Sequence, residues 1–172
     1  MDMVKFKKLI REWVPTLLVA VLLSLLIRSY VAEAMSVPTD SMVPTIQVDD
    51  RLIVEKMLWA TTLKHGDIVV FHPPVAGETK LYVKRLIGLP GDTIEIKDGA
   101  LYRNGAKVEE PYLNAKMNYV FGPVTVPTDH YFFLGDNRNV SYDAHLWDTP
   151  FVEKDKLIGK VVLELPFHKL FK

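Results

Sequence analysis

Apolar and polar positions follow two different rhythms, and the change comes near residue 35. Before it, Trp13 to Ile27 is apolar except for Thr16 and Ser24, and after Arg28-Ser29 the run resumes as Tyr30-Val31-Ala32. Residues 13–32 thus form a stretch of about 20, the length of a helix that spans a bilayer core. Pro15 falls in the first turn of such a helix, where its missing N–H costs little. Arg28 can reach back to the interface, and Trp13 and Tyr30 mark the two boundaries as an aromatic belt does.

Beyond residue 48 the rhythm is that of strands. Arg51–Glu55, Asp67–Phe71, Leu81–Ile87, Thr93–Ile96, Tyr131–Leu134 and Lys160–Leu165 are short, rich in β-branched or aromatic residues, and bounded by Gly, Pro, Asp or Asn. Ile94 to Tyr102 reads as a hairpin closed by Asp98-Gly99, and Asn104-Gly105 supplies a second tight turn. No amphipathic helix of convincing length follows residue 35. The pattern predicts an all-β, strand-rich domain over residues 33–172, with room for one short helix, hung from a single N-terminal transmembrane helix.

Charge gives this arrangement a direction. Lys5, Lys7, Lys8 and Arg11 precede the apolar run, opposed there by Asp2 and Glu12. That bias predicts residues 1–12 in the cytoplasm, residues 13–32 in the cell membrane as a single pass, and the body outside. A cleavable signal peptide ending at Ala32-Glu33-Ala34 shows the same order of features, so anchor and signal both fit. Either way the body lies beyond the membrane. The chain carries 21 basic and 21 acidic side chains, and after Ala34 the balance is weakly acidic with no basic stripe, which excludes nucleic acid as a partner. With no cysteine in the chain, thiol nucleophiles, disulfides and cysteine-based metal sites are excluded too.

Three segments carry chemistry. In Ser36-Val37-Pro38-Thr39-Asp40-Ser41-Met42-Val43-Pro44-Thr45, two prolines predict a rigid, extended, non-helical segment that holds the Ser41 hydroxyl in one orientation. In the strand around Lys84, Tyr82, Lys84 and Leu86 share one face and Val83, Arg85 and Ile87 the other. Both faces are largely apolar. A lysine buried there is disfavoured as the ammonium ion, and adjacent Arg85 adds like-charge pressure in the same direction. A neutral amine so produced can act as general base toward a serine. The third segment, Gly135-Asp136-Asn137-Arg138-Asn139-Val140-Ser141-Tyr142-Asp143, is a dense polar loop after an aromatic strand.

In order and spacing these three segments resemble the sequence boxes of the type I signal peptidases, and the compact size resembles the single-anchor form typical of Gram-positive bacteria. The resemblance covers nearly the whole chain. It implies a membrane-anchored serine endopeptidase that removes signal peptides from exported preproteins through a Ser-Lys dyad, needing neither metal nor cofactor and acting as a monomer. It implies Ser41 as nucleophile, Lys84 as general base, Thr39 as an oxyanion donor beside the Ser41 N–H, Ser141 as the hydroxyl that orients the lysine, and Asp143 as a supporting acid. The family usually pairs that acid with an arginine two residues on. Here the position is His145, with Ala144 before it and Asp148 where glycine is usual, so an Asp143–His145 contact would be a pH-sensitive substitute. Two other readings are a LexA-like autoprotease, against which the anchor and the lack of a basic helix-turn-helix argue, and a catalytically silent anchored β-domain that binds exported proteins.

Overall fold

The computed structural model of the chain describes residues 3–167. Helix α1 runs over Met3–Leu26 and passes through a π turn, Ile27–Val31, without a break. It begins ten residues before the expected span, because residues 5–12 are mostly strong helix formers. Pro15 consequently sits inside the helix rather than in its first turn. The segment Arg11–Val31 has 21 residues and a mean hydropathy of 2.0, and none of it is buried against the rest of the protein. At 1.5 Å per residue it is about 31 Å long, enough for a bilayer core.

Eleven strands follow in the described residues: β1 (Ala32–Ser36), β2 (Arg51–Glu55), β3 (Ile68–Phe71), β4 (Tyr82–Gly88), β5 (Thr93–Lys97), β6 (Ala100–Arg103), β7 (Ala106–Lys107), β8 (Phe121–Thr125), β9 (His130–Leu134), β10 (Val152–Glu153) and β11 (Leu157–Leu165). They form a seven-stranded sheet in the order β1-β2-β11-β3-β4-β9-β10 and a four-stranded sheet in the order β7-β6-β5-β8. All pairings are antiparallel. The short helix for which the sequence left room is the 3-10 turn Lys154–Lys156.

Both turns read from the sequence are present. Asp98 and Gly99 have φ of 52° and 72°, and Asn104 and Gly105 have 54° and 80°. Positive φ at both central residues is the signature of the turn that matches strand twist, and these residue types adopt it at little cost.

Two apolar clusters matter for the site. One joins Val69, Phe71, Leu86, Phe132, Phe133 and Leu134 of the large sheet to Ile94, Ile96 and Leu101 of the small one. The other draws Val37, Met42 and Ile46, from the connection between β1 and β2, onto Leu52, Val54 and Val70. Met42 and Ile46 are fully buried. Their burial folds the connection back on itself, so it is a hydrogen-bonded turn (Val43 N to Asp40 O and Ile46 N to Met42 O, both 3.0 Å) rather than the extended segment expected from its prolines.

Candidate active site

Ser41 precedes the core residue Met42 directly, so the cluster that buries Met42 also anchors the serine's backbone. A second support comes from across the molecule: Asn137 N donates to Ser41 O at 3.0 Å, and the Asn137 side chain donates to Asp40 O at 3.2 Å. The Ser41 segment is therefore tied to the polar loop that follows β9.

Lys84 lies in β4 opposite Val69 of β3 and is 4% exposed. Its Nζ is 2.6 Å from Ser41 Oγ. Burial pulls the lysine from its ordinary value near 10.5 down to about 8, while the carboxylates of Asp143, Asp136 and Asp40 oppose a further fall. A hydroxyl and an amine that is neutral in part near pH 8 thus share one hydrogen bond in a mostly buried site. This is the arrangement a general base needs.

Thr39 Oγ1 lies 3.3 Å from Ser41 Oγ on the exposed side, which puts a second hydroxyl beside the reacting oxygen. Ser141 is buried at the site and its Oγ packs on Gly135, where an added Cβ would come within 2.2 Å of it. Among the described residues that oxygen has no hydrogen-bond partner, so the bond to Lys84 that the resemblance implies is not formed here. Asp143 is fully buried. One of its oxygens accepts Gly135 N at 2.8 Å and the other contacts His145 Nδ1 at 2.7 Å. His145, at the position where the resemblance expects an arginine, thus contacts Asp143, and its ring stacks on Tyr119 at 3.9 Å. Ala144 is buried and Asp148 points to solvent.

The Arg85 guanidinium is turned to the other face of β4, where a buried carboxylate neutralises it. Nε and Nη2 engage the two oxygens of buried Asp136 at 2.8 and 2.5 Å, Nη1 donates to Gly66 O at 2.8 Å, and Thr45 donates its hydroxyl to the same Asp136 at 2.5 Å. Asp136, Asn137 and Thr45 were not singled out from the sequence. Asp136 and Asn137 stand in the polar loop and Thr45 one residue after Pro44, but their pairing is long-range and has no sequence period. Among the described residues no cluster of His, Asp or Glu is arranged to hold a metal ion.

Comparison with known proteins adds an independent finding. The family model described as signal peptidase, peptidase S26, matches residues 10–165. A probable signal peptidase I-2 of Synechocystis is 46% identical over 84% of this chain and 68% of its own length. Signal peptidase I of Leptolyngbya laminosa is 41% identical over 92% of this chain and 81% of its own. Signal peptidase I S of Bacillus subtilis is 39% identical over 96% and 95% respectively. Similarity is thus spread over all three sources rather than confined to the Bacillus form.

Proposed function

The chain belongs to the signal peptidase family, peptidase S26, and on that footing we propose that it is a membrane-anchored serine endopeptidase that removes signal peptides from exported preproteins with Ser41 and Lys84 as its dyad. The observation that carries the dyad is the 2.6 Å approach of the buried Lys84 Nζ to the part-buried Ser41 Oγ. Neutral Lys84 takes the Ser41 proton as Oγ attacks the scissile carbonyl. The resulting ammonium then protonates the leaving amine, and an acyl-enzyme remains. Water, deprotonated by the same lysine, attacks the ester and returns Ser41 to its starting form.

The charge that develops on the carbonyl oxygen needs donors, and Ser41 N–H and the Thr39 hydroxyl are the groups assigned to it. Residues 13–32 anchor the enzyme, with the basic N-terminus in the cytoplasm and the domain on the outer face. An extended signal-peptide segment can add to a sheet edge by main-chain hydrogen bonds, small side chains entering shallow apolar pockets. All the named groups come from one chain, so a monomer suffices.

The test is incubation of the full-length, detergent-solubilised protein with a synthetic signal-peptide substrate carrying alanine at the last and third-last signal positions. Mass spectrometry should find one cut, after the last alanine, and none with Ser41→Ala. Equal cleavage by the Ser41→Ala protein would remove the serine from the mechanism.

A further inference from the structure

The connection between β7 and β8 is fastened to the site from outside it. Glu110 receives both Arg138 Nη1 and Nη2, at 2.7 and 2.6 Å, in a pair whose side chains are 1% and 4% exposed. Tyr112 donates its hydroxyl to the same carboxylate at 2.6 Å, and the Arg85 guanidinium lies 3.9 Å above its ring. Further along, Asn139 grips the connection by its amide, donating to Lys116 O at 2.9 Å and accepting Asn118 N at 3.0 Å.

The fastenings at Arg138 and Arg85 end on residues that lead to the dyad. Arg138 Nε donates to Gly135 O at 3.0 Å, and Asn137 of the same turn holds Ser41 O. Arg85 is the chain neighbour of Lys84, and Asp136 joins it to that turn. A buried ion pair is a poor source of stability, yet its two-pronged geometry fixes both partners closely. The aromatic ring adds a planar seat for Arg85. Such a network is costly to bury and well suited to holding two elements in register.

We propose that Glu110 and Tyr112 are positioning residues for the reaction, fixing the Gly135–Asn137 turn and strand β4 against each other and thereby setting the separation of Ser41 and Lys84. The proposal rests on the dyad reading above. It assigns the connection a task beyond joining β7 to β8: it seats Arg85 and Arg138, so that without it the direct Arg85–Asp136 and β4–β9 links would hold the lysine and serine less closely.

The test uses full-length protein in detergent and the variants Tyr112→Leu, Tyr112→Phe and Glu110→Asp. Three readouts are taken: kcat and KM on the signal-peptide substrate, thermal midpoint, and the Lys84 titration by NMR of labelled lysine. Lys84 is faced by Asp143, Asp136 and Asp40 and by the Tyr82 ring, none of which these variants change. Tyr112→Leu should lower kcat at least tenfold with KM within twofold, and should move the Lys84 titration upward as water reaches a less firmly held amine. Tyr112→Phe keeps the ring under Arg85 and should retain most of kcat. Glu110→Asp, which keeps the charge and shortens its reach, should lower kcat several-fold at unchanged KM and decides the matter if Tyr112→Leu does not fold. Folded variants that melt earlier but keep wild-type kcat and Lys84 titration would overturn the proposal. The titration needs no substrate, so wild-type protein that cuts no signal peptide would sink the functional reading while leaving the positioning role measurable.

Discussion

The proposed role of Lys84 asks that it be buried enough to lose its proton and close enough to Ser41 to use the vacancy. The strand pattern made the burial legible, since both faces of residues 81–87 are apolar. The charges around the lysine were not legible, because Asp40, Asp136 and Asp143 come from distant parts of the chain and act against the burial. A value near 8 gives a definite pH dependence. The base must be neutral, so kcat should rise with pH through about 8 and then level, and at pH 7 roughly one-tenth of the enzyme would be competent. Lys84→Arg should be inactive throughout, as guanidinium stays protonated. A flat profile from pH 6 to 9 would contradict the assignment. Thr39 belongs to the same scale. If its hydroxyl stabilises the oxyanion, Thr39→Ala should lower kcat about a hundredfold, roughly 3 kcal/mol in the barrier, with little change in KM, and Thr39→Ser should be almost silent. An effect confined to KM would make it a substrate-binding residue.

Among elements, the strands rich in valine, isoleucine and phenylalanine were readable, while β1, β7, β8 and β10 were not. Strand β1 is Ala-Glu-Ala-Met-Ser, with no β-branched or aromatic residue, and it forms because β2 offers it a paired edge from Ala32↔Glu55 to Ser36↔Arg51. Strand β8 contains Gly122-Pro123, a combination that sequence propensity assigns to a turn and that is tolerated here at a sheet edge. The placement of β1 bears on the Ala32-Glu33-Ala34 string, which has the small-x-small pattern expected of substrates. In the folded chain it is paired to β2, and Glu33 is held by Lys56 at 3.3 Å. A protease needs its substrate extended and unpaired. A free peptide of residues 28–40 should therefore be cut after Ala34 at least tenfold faster than that bond in the intact protein, and the intact Ser41→Ala protein should not be trimmed. Equal rates for peptide and protein, measured by mass spectrometry, would show that β1 gives no protection.

For the whole molecule, the hydropathy run and the basic cluster identified the helix, while the alternative of a removable leader left its fate open. The structure adds how it is joined. The π turn ends at Val31 and β1 begins at Ala32, Lys56 N donates to Val31 O at 2.9 Å, and Lys56 Nζ donates to Arg28 O at 3.4 Å. Helix and sheet are thus hydrogen-bonded across their junction. The protein should stay with membranes through a high-salt wash, since a spanning helix is not held by charge, and should keep its original N-terminus. N-terminal sequencing that finds the cellular protein starting at Met35, in active and Ser41→Ala forms alike, would instead identify a signal removed by another enzyme.

That junction makes the enzyme a ruler. Strand β1 is about 16 Å long, and the turn that follows it, pinned by buried Val37 and Met42, presents Ser41. If the helix spans the bilayer, a substrate whose own apolar stretch lies in the same bilayer would bring its cleavable bond to one height, and Ser41 would meet it there. Position along the membrane normal would then be a criterion of selection alongside side-chain size. A few glycines inserted between Val31 and Ala32 would lengthen the scale and blur its divisions without touching a single group in the active site.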